Sequence, residues 1–150
     1  MKSDKQDSLS YHVSLITINI MVSDPIADML AQIKNASLAG RSNVVLPHSK
    51  LKEKVAQILA REGYIASTET TGESPKRMLV IILKYQNKRS VITDVKRKSK
   101  PGLRRYVPKT EIPTVLGGVG VAIVSTSSGI MTGQEAKKRG IGGELICEIW

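Results

Sequence analysis

Phenylalanine is missing from this chain of 150 residues, tryptophan occurs once, at the final position, and aromatic residues make up only 3% of the whole. A broad aromatic platform of the kind that stacks unpaired bases is therefore excluded. So is a basic amphipathic helix anchored in a lipid interface by bulky rings. One cysteine, Cys147, rules out an internal disulfide and fits an intracellular setting; with only two histidines, His12 and His48, the chain is too poor in ligands for a Cys/His zinc site. No long apolar run occurs, and the nearest approach, "VSLITINIMV", is broken by Ser, Thr and Asn and is too short to span a bilayer. Neither a signal peptide nor a membrane helix is read here.

Acidic residues are also scarce, 13 against 23 Lys plus Arg, for a formal charge of +10 and a sequence pI near 9.9. A core cannot use that excess. It favours a polyanionic partner. The hydrophobic fraction of 41% is ordinary, and the length allows one domain or two small ones around a shared core.

Residues 1–20 read as an N-terminal extension without caps or period, and Met21, just before the first strong signal, is a candidate start. In "SDPIADMLAQIKNA", Ser23 or Asp24 caps a helix with Pro25 in its first turn and Ile26, Met29, Leu30 and Ile33 on one face. Val44-Val45-Leu46 is a short strand ended by Pro47. Ser49 then caps a second helix through Arg61, with Leu51, Val55, Ile58 and Leu59 as its apolar stripe and Gly63 as its stop. Tyr64-Ile65-Ala66 and Met78 to Tyr85 read as two strands joined by the polar segment "ETTGESPK". The first subdomain is thus 21–85, an α-β-α-β-β unit.

The second subdomain, 86–150, is mainly β with short helices, and the fold class is α+β. A strand begins at Val91 to Val95. Lys96 to Lys109, "KRKSKPGLRRYVPK", then carries seven Lys or Arg and no acid, with Pro101-Gly102 as a turn between two extended arms. "KTEIPTVLGG" suggests one helical turn. A strand from Val119 to Val124 follows, ending in Ser125, Thr126, Ser127 and Ser128. Thr132 and Glu135 form a capping box for a short helix that ends at Gly140, and Gly140, Gly142 and Gly143 read as its stop and turn. Glu144 to Trp150 closes the chain as a strand with Leu145, Cys147 and Ile149 on one face.

Catalysis finds little support. A serine nucleophile needs a base within reach, yet His48 lies in the other half, and the hydroxyl segment has neither a Gly-x-Ser-x-Gly elbow nor a Ser-x-x-Lys motif. "GGVGVAI" puts Ile123 where a dinucleotide fingerprint needs its third glycine and precedes a strand instead of following one. No enzyme activity, cofactor, metal or small-molecule substrate is expected.

The basic turn reads as a phosphate-neutralising element, because seven like charges repel one another unless counterions or phosphates intervene. A solvated charged face is the plainer alternative. Without rings, heptads or a helix-turn-helix, what remains is contact with backbone, sugars and groove edges. Serine and threonine hydroxyls both donate and accept, so their cluster suits phosphate oxygens, base edges and the 2′-OH of RNA. Standing alone, it reads slightly better as a turn bonding its own backbone.

The cluster has company. "DPIADMLAQIKNA", "SKLKEKVAQILAREGYI", "SKPGLRRY" and "VLGGVGVAIVSTSSGIMTGQEAKKRGIGGELICEIW" together make Asp24 to Trp150 resemble the bacterial-type ribosomal small-subunit protein eight family. The order and spacing of "VSTS", "GIMT" and "GGE" are highly specific. The resemblance implies a structural protein of the small ribosomal subunit that binds the central domain of its rRNA early, at an irregular helix, and promotes assembly beside neighbouring small-subunit proteins. Some bacterial members also repress their own messenger RNA.

By the same resemblance, the RNA surface comprises Ser125, Thr126 and Ser127 with Tyr106 and Glu144 nearby. Ser99, Lys100, Pro101, Gly102 and Arg104 belong to the turn, and Lys34, Lys50 and Lys54 are phosphate neighbours in the first half. Glu144, an acceptor-only group, suits a 2′-OH or an exocyclic amine. The implied location is the ribosome, in the cytoplasm or a plastid stroma. Gly133 and Glu148 depart from the family pattern, which more often has an acid and a tyrosine there. A general basic chaperone or architectural DNA-binding module is the competing reading of the charge alone.

Overall fold

The structure, a computed structural model, describes residues 24–150. The extension, Met21 and Ser23 lie outside the described residues. The architecture is α+β, as the patterning predicts. Helix α1 (Pro25–Leu38) is capped by Asp24, whose side chain accepts from the Ala27 amide, and Pro25 sits in the first turn, where a missing N–H costs nothing. Strand β1 (Asn43–Pro47) leads to α2 (Lys50–Arg61), capped by Ser49 through the Lys52 amide. Strands β2 (Ile65–Thr71) and β3 (Met78–Leu83) complete an antiparallel sheet in the order β1-β3-β2.

Two sequence expectations change here. Leu51 is 42% exposed: it occupies the first turn of α2, and Ala56 takes a place in the buried face instead. β2 runs on through Ser67 to Thr71, taking in Glu69 to Thr71 of the segment that reads as the joining turn. Its polar residues reflect an edge strand, mostly exposed, in which threonine satisfies the pleat without apolar burial.

A small hairpin, β4 (Tyr85–Gln86) and β5 (Arg89–Ser90), turns at Asn87-Lys88, both with positive φ. Val91 to Asp94 is not strand. Pairing starts at β6 (Val95–Arg97), because the Thr93 and Asp94 amides bond to the Trp150 carbonyl at the chain's end.

The second sheet is organised around β10 (Gly143–Ile149). One edge carries β8 (Val121–Thr126), which pairs on with β9 (Gly129–Thr132). The other edge is shared. β6 pairs Cys147–Ile149, and β7 (Tyr106–Val107) pairs Gly143 and Glu144. The cationic segment is thus the excursion between two arms that lie along the same strand, and Lys100 and Leu103 close its Pro101-Gly102 turn. Two 3₁₀ turns, Lys109–Glu111 and Val115–Gly118, precede β8 where one helical turn was expected.

Helix α3 (Gly133–Arg139) follows the capping box as read: Thr132 accepts from the Glu135 amide, and Gly140 ends the helix at φ +69°. "GIMT" forms β9, a strand that the sequence pattern does not announce. Alternation is short there, and only the return from Ser127-Ser128 reveals a hairpin.

β10 does not keep one face. A bulge between Leu145 and Cys147 shifts the register, so Leu145 opposes Val124 while Cys147 opposes Ile123. Cys147, Ile149 and Ile146 join the main core with Ile123, α1, α2 and the first sheet. Leu145 joins Val124, Ala122, Met131 and Ala136 in a second cluster. One continuous core therefore draws on both halves, and each fully buried isoleucine such as Ile123 contributes about 1.5–3 kcal/mol. Burial pushes the Cys147 thiol up to about 12, so it packs as a neutral apolar group.

Glycines Gly142 and Gly143 are not simply turn residues. A Cβ on Gly142 would meet the Val107 carbonyl and the Pro108 Cα, and one on Gly143 would meet the Ser125 carbonyl. They let β7 and β8 approach β10 at one level.

Candidate functional site

That close approach builds a row. Ser125 on β8 pairs with Ile130 of β9 on one side and Glu144 of β10 on the other, and Glu144 in turn pairs with Tyr106 of β7. Directly opposed residues of an antiparallel sheet share a face, so Ile130, Ser125, Glu144 and Tyr106 line up across four strands. Along β8 the same face carries Val121 and Ile123 into the main core. The row is therefore the polar end of a face whose other end is packed. Tyr106 stands 71% exposed at its outer end.

The hydroxyls divide. Ser125 is half-buried in the row, and Ser127 is exposed at the hairpin tip. Thr126 is committed locally, its hydroxyl donating to the Gly129 carbonyl (2.8 Å) and accepting from the Ser128 amide (3.1 Å). The self-bonding turn is thus the right description of Thr126, while Ser125 and Ser127 have no such bond among the described residues.

Glu144 is held. Its Oε1 accepts from Ser99 Oγ at 2.6 Å and from Arg104 Nη1 at 3.0 Å. Burial pushes its pKa up, but the Ser99 and Arg104 bonds and the charges of Arg104 and Arg97 outweigh that, and the net direction is down. The group stays a carboxylate, an acceptor. Ser99 itself is fully buried and also accepts from the Arg105 amide at 3.1 Å.

The cationic run is less self-repelling than its composition suggests, because acids from elsewhere reach into it. Arg97 pairs with Asp24 (3.2 Å), Lys98 with Glu148 (3.5 Å) and Arg104 with Glu144. Among the described residues, Lys96, Lys100, Arg105 and Lys109 have no ion pair. Lys100, Pro101, Gly102 and Leu103 form the exposed tip. The pairing also gives Glu148 a place in the fold.

In the first half, Lys34 is tied to Asp94 at 2.7 Å, and that bond first, with the Val95 amide, holds the Asp94 carboxyl below its usual range. Lys50 is exposed at the start of α2. Lys54 is different. With Gln57, Ile58 and Arg61 it faces Ser128, Gly129 and Ile130 across a groove, so α2 borders the hairpin tip. The structure thus brings together Ser125, Tyr106, Glu144 and Arg104, with Ser99 buried against Glu144, while Ser127 sits at the hairpin tip that Lys54 borders. Arg97 is the residue that sequence reading passed over: one of seven cations in the run, it becomes singular only once the bulge brings the Ile146 carbonyl to its Nη1 at 2.6 Å.

Fold and site together define a small basic α+β protein whose chemistry is displayed on an open sheet end: alcohols, one oriented carboxylate and one ring, rimmed by cations. The comparisons agree with that class. The model of the family described as Ribosomal protein S8 matches residues 24–150. Small ribosomal subunit protein uS8 of Dictyoglomus thermophilum is 60% identical over 129 residues, covering 86% of this chain and 98% of the relative. Its counterparts in Hydrogenovibrio crunogenus and Dehalococcoides mccartyi are 53% and 50% identical, covering 85% and 87% of this chain and 98% and 100% of theirs. The chain belongs to the ribosomal protein S8 family.

Proposed function

We propose that this chain is a non-enzymatic structural constituent of the small ribosomal subunit, which binds the central domain of the subunit's rRNA in the cytoplasm and promotes assembly beside neighbouring small-subunit proteins. The observation that carries the reading is the Ser125-Glu144-Tyr106 row next to the free cations of the turn. Phosphates alone would be served by lysines anywhere. A fixed carboxylate among hydroxyls repels phosphate and accepts only from donors, which on RNA are 2′-OH groups, ring N–H and exocyclic amines. The row therefore reads sugars and base edges of an irregular helix, and Lys100, Arg105 and Lys54 neutralise phosphates around it. Tyr106 offers one ring for stacking.

Filter binding at matched salt tests this with a central-domain rRNA fragment, a random RNA duplex and a DNA duplex. Clear preference for the fragment is the expected result. Equal affinities would instead favour a general architectural nucleic-acid binder. Lys100→Ala should lower the slope of log affinity against log salt by about 0.7–0.9, one phosphate contact, and should do so alike for fragment and random duplex. A slope unchanged by the substitution would remove Lys100 from the phosphate set.

A further inference from the structure

Ser99 belongs to the turn motif, yet it is the one polar residue there with no exposure at all. Both hydrogen bonds of its hydroxyl are made within the protein: it donates to Glu144 Oε1 and accepts from the Arg105 amide. The same oxygen of Glu144 takes the Arg104 bond. Among the described residues no hydrogen bond reaches Oε2, and the side chain keeps 19% of its surface exposed. Behind Ser99 the turn is anchored to the bulge. The Ile146 carbonyl accepts from the Lys98 amide (3.0 Å) and from Arg97 Nη1 (2.6 Å), while the Leu145 amide donates to the Arg105 carbonyl (2.8 Å). Arg97 in turn bonds Asp24, the cap of α1.

We propose that Ser99 is a positioning residue that touches no RNA: it pins Oε1 of Glu144 from beneath, so that Oε2 is presented in one orientation to a hydroxyl or amine donor of the RNA. This rests on the reading of the row given above. The bulge is what makes it work. An unbulged β10 would keep Leu145 and Cys147 on one face and leave no step at Ile146 for the turn to sit on. Freed of Ser99, the Glu144 carboxylate would swing with the exposed Arg104 guanidinium, and the acceptor would lose its fixed direction at an entropic cost.

A double-mutant cycle on the full chain decides the matter, read as affinity for the central-domain fragment relative to a random duplex. Ser99→Ala should lower that preference about tenfold, the scale of one hydrogen bond to a charged group. Glu144→Ala should lower it at least as much, and Ser99→Ala should add nothing in the Glu144→Ala background. Independent, multiplying losses overturn the positioning role. No loss from Glu144→Ala alone overturns the reading of the row, and this inference with it.

A pH profile supplies a readout that loose packing would not move. Losing the Ser99 bond raises the Glu144 pKa, so specific binding should fall away at a higher pH on acidification in Ser99→Ala. The groups facing Glu144 are Arg97 from β6, Arg104 from the turn, Tyr106 from β7 and Ser125 from β8, and arginine keeps its charge through that range. An unshifted profile counts against the proposal. Should Ser99→Ala not fold, the unmutated complex still answers by NMR: RNA contacts must reach the Glu144 side chain, and a ribose contact to the Ser99 side chain overturns the proposal.

Discussion

The Ser125→Ala, Ser127→Ala double variant is expected to lose about thirtyfold in affinity for the central-domain fragment while binding random duplex as before. Each hydroxyl contributes a donor and an acceptor where the rest of the row supplies only a carboxylate and a phenol. Deleting one would leave the proposed RNA partner facing a methyl group. The net value of such a bond is about 0.5–1.5 kcal/mol, more where a partner is left buried and unpaired, so two together approach 2 kcal/mol. Charge is untouched, so the salt-dependent part of binding stays as it was. Thr126 is excluded from the variant because its hydroxyl holds the hairpin tip to Gly129 and Ser128; removing it would confuse recognition with folding. Filter binding of the two RNAs reports the outcome. Proportional losses for both would mean that the serines contribute general affinity and carry no selectivity.

Gly143→Ala should cost about 3 kcal/mol, lowering the melting temperature by roughly 10 °C. The added methyl would lie 2.9 Å from the Ser125 carbonyl carbon, nearer still to its oxygen, and 3.1 Å from Val124 Cγ1. None of these is the loose end of a flexible side chain. Relief requires β8 to withdraw from β10 where Ser125 opposes Glu144, so the row opens along with the ladder. Thermal unfolding followed by circular dichroism measures the loss. A melting temperature within about 2 °C of the parent would show that the two strands do not meet as closely as described. Because stability and row geometry share this glycine, the variant should also bind the fragment poorly below its melting point.

What the sequence disclosed was local. Pro25 after Asp24, Ser49 before Lys50 and the Thr132-Glu135 box announced three helix starts, because capping chemistry is completed within four residues. The Pro101-Gly102 turn and its arms were legible for the same reason. Features set by contacts between distant segments stayed hidden. The bulge at Ile146 cannot be read from "ELICEIW", whose even alternation suggests one face; it arises from fitting β6, the turn and β7 onto one edge.

The site shows the same division. The resemblance supplied the residue types, and the alcohol chemistry of Ser125 and Ser127 followed from the sequence. Their unequal roles did not. That Thr126 is consumed by its own turn is a local bond that residue type alone does not announce; that Ser99 is buried against Glu144, and that three of the seven cations are matched by Asp24, Glu144 and Glu148, are facts of pairing across 40 or more positions. Composition counts charges. Only the fold decides which remain free for a partner.

The proposed role of the Ser125-Glu144-Tyr106 row is to grip RNA through riboses and base edges. A structure of the chain bound to small-subunit rRNA tests it most directly. The Ser125 and Ser127 hydroxyls and Glu144 Oε2 should lie within hydrogen-bond distance of 2′-OH groups or base edges, with Lys100 near phosphate. A complex in which this row faces solvent or another polypeptide, with RNA held elsewhere, would contradict it.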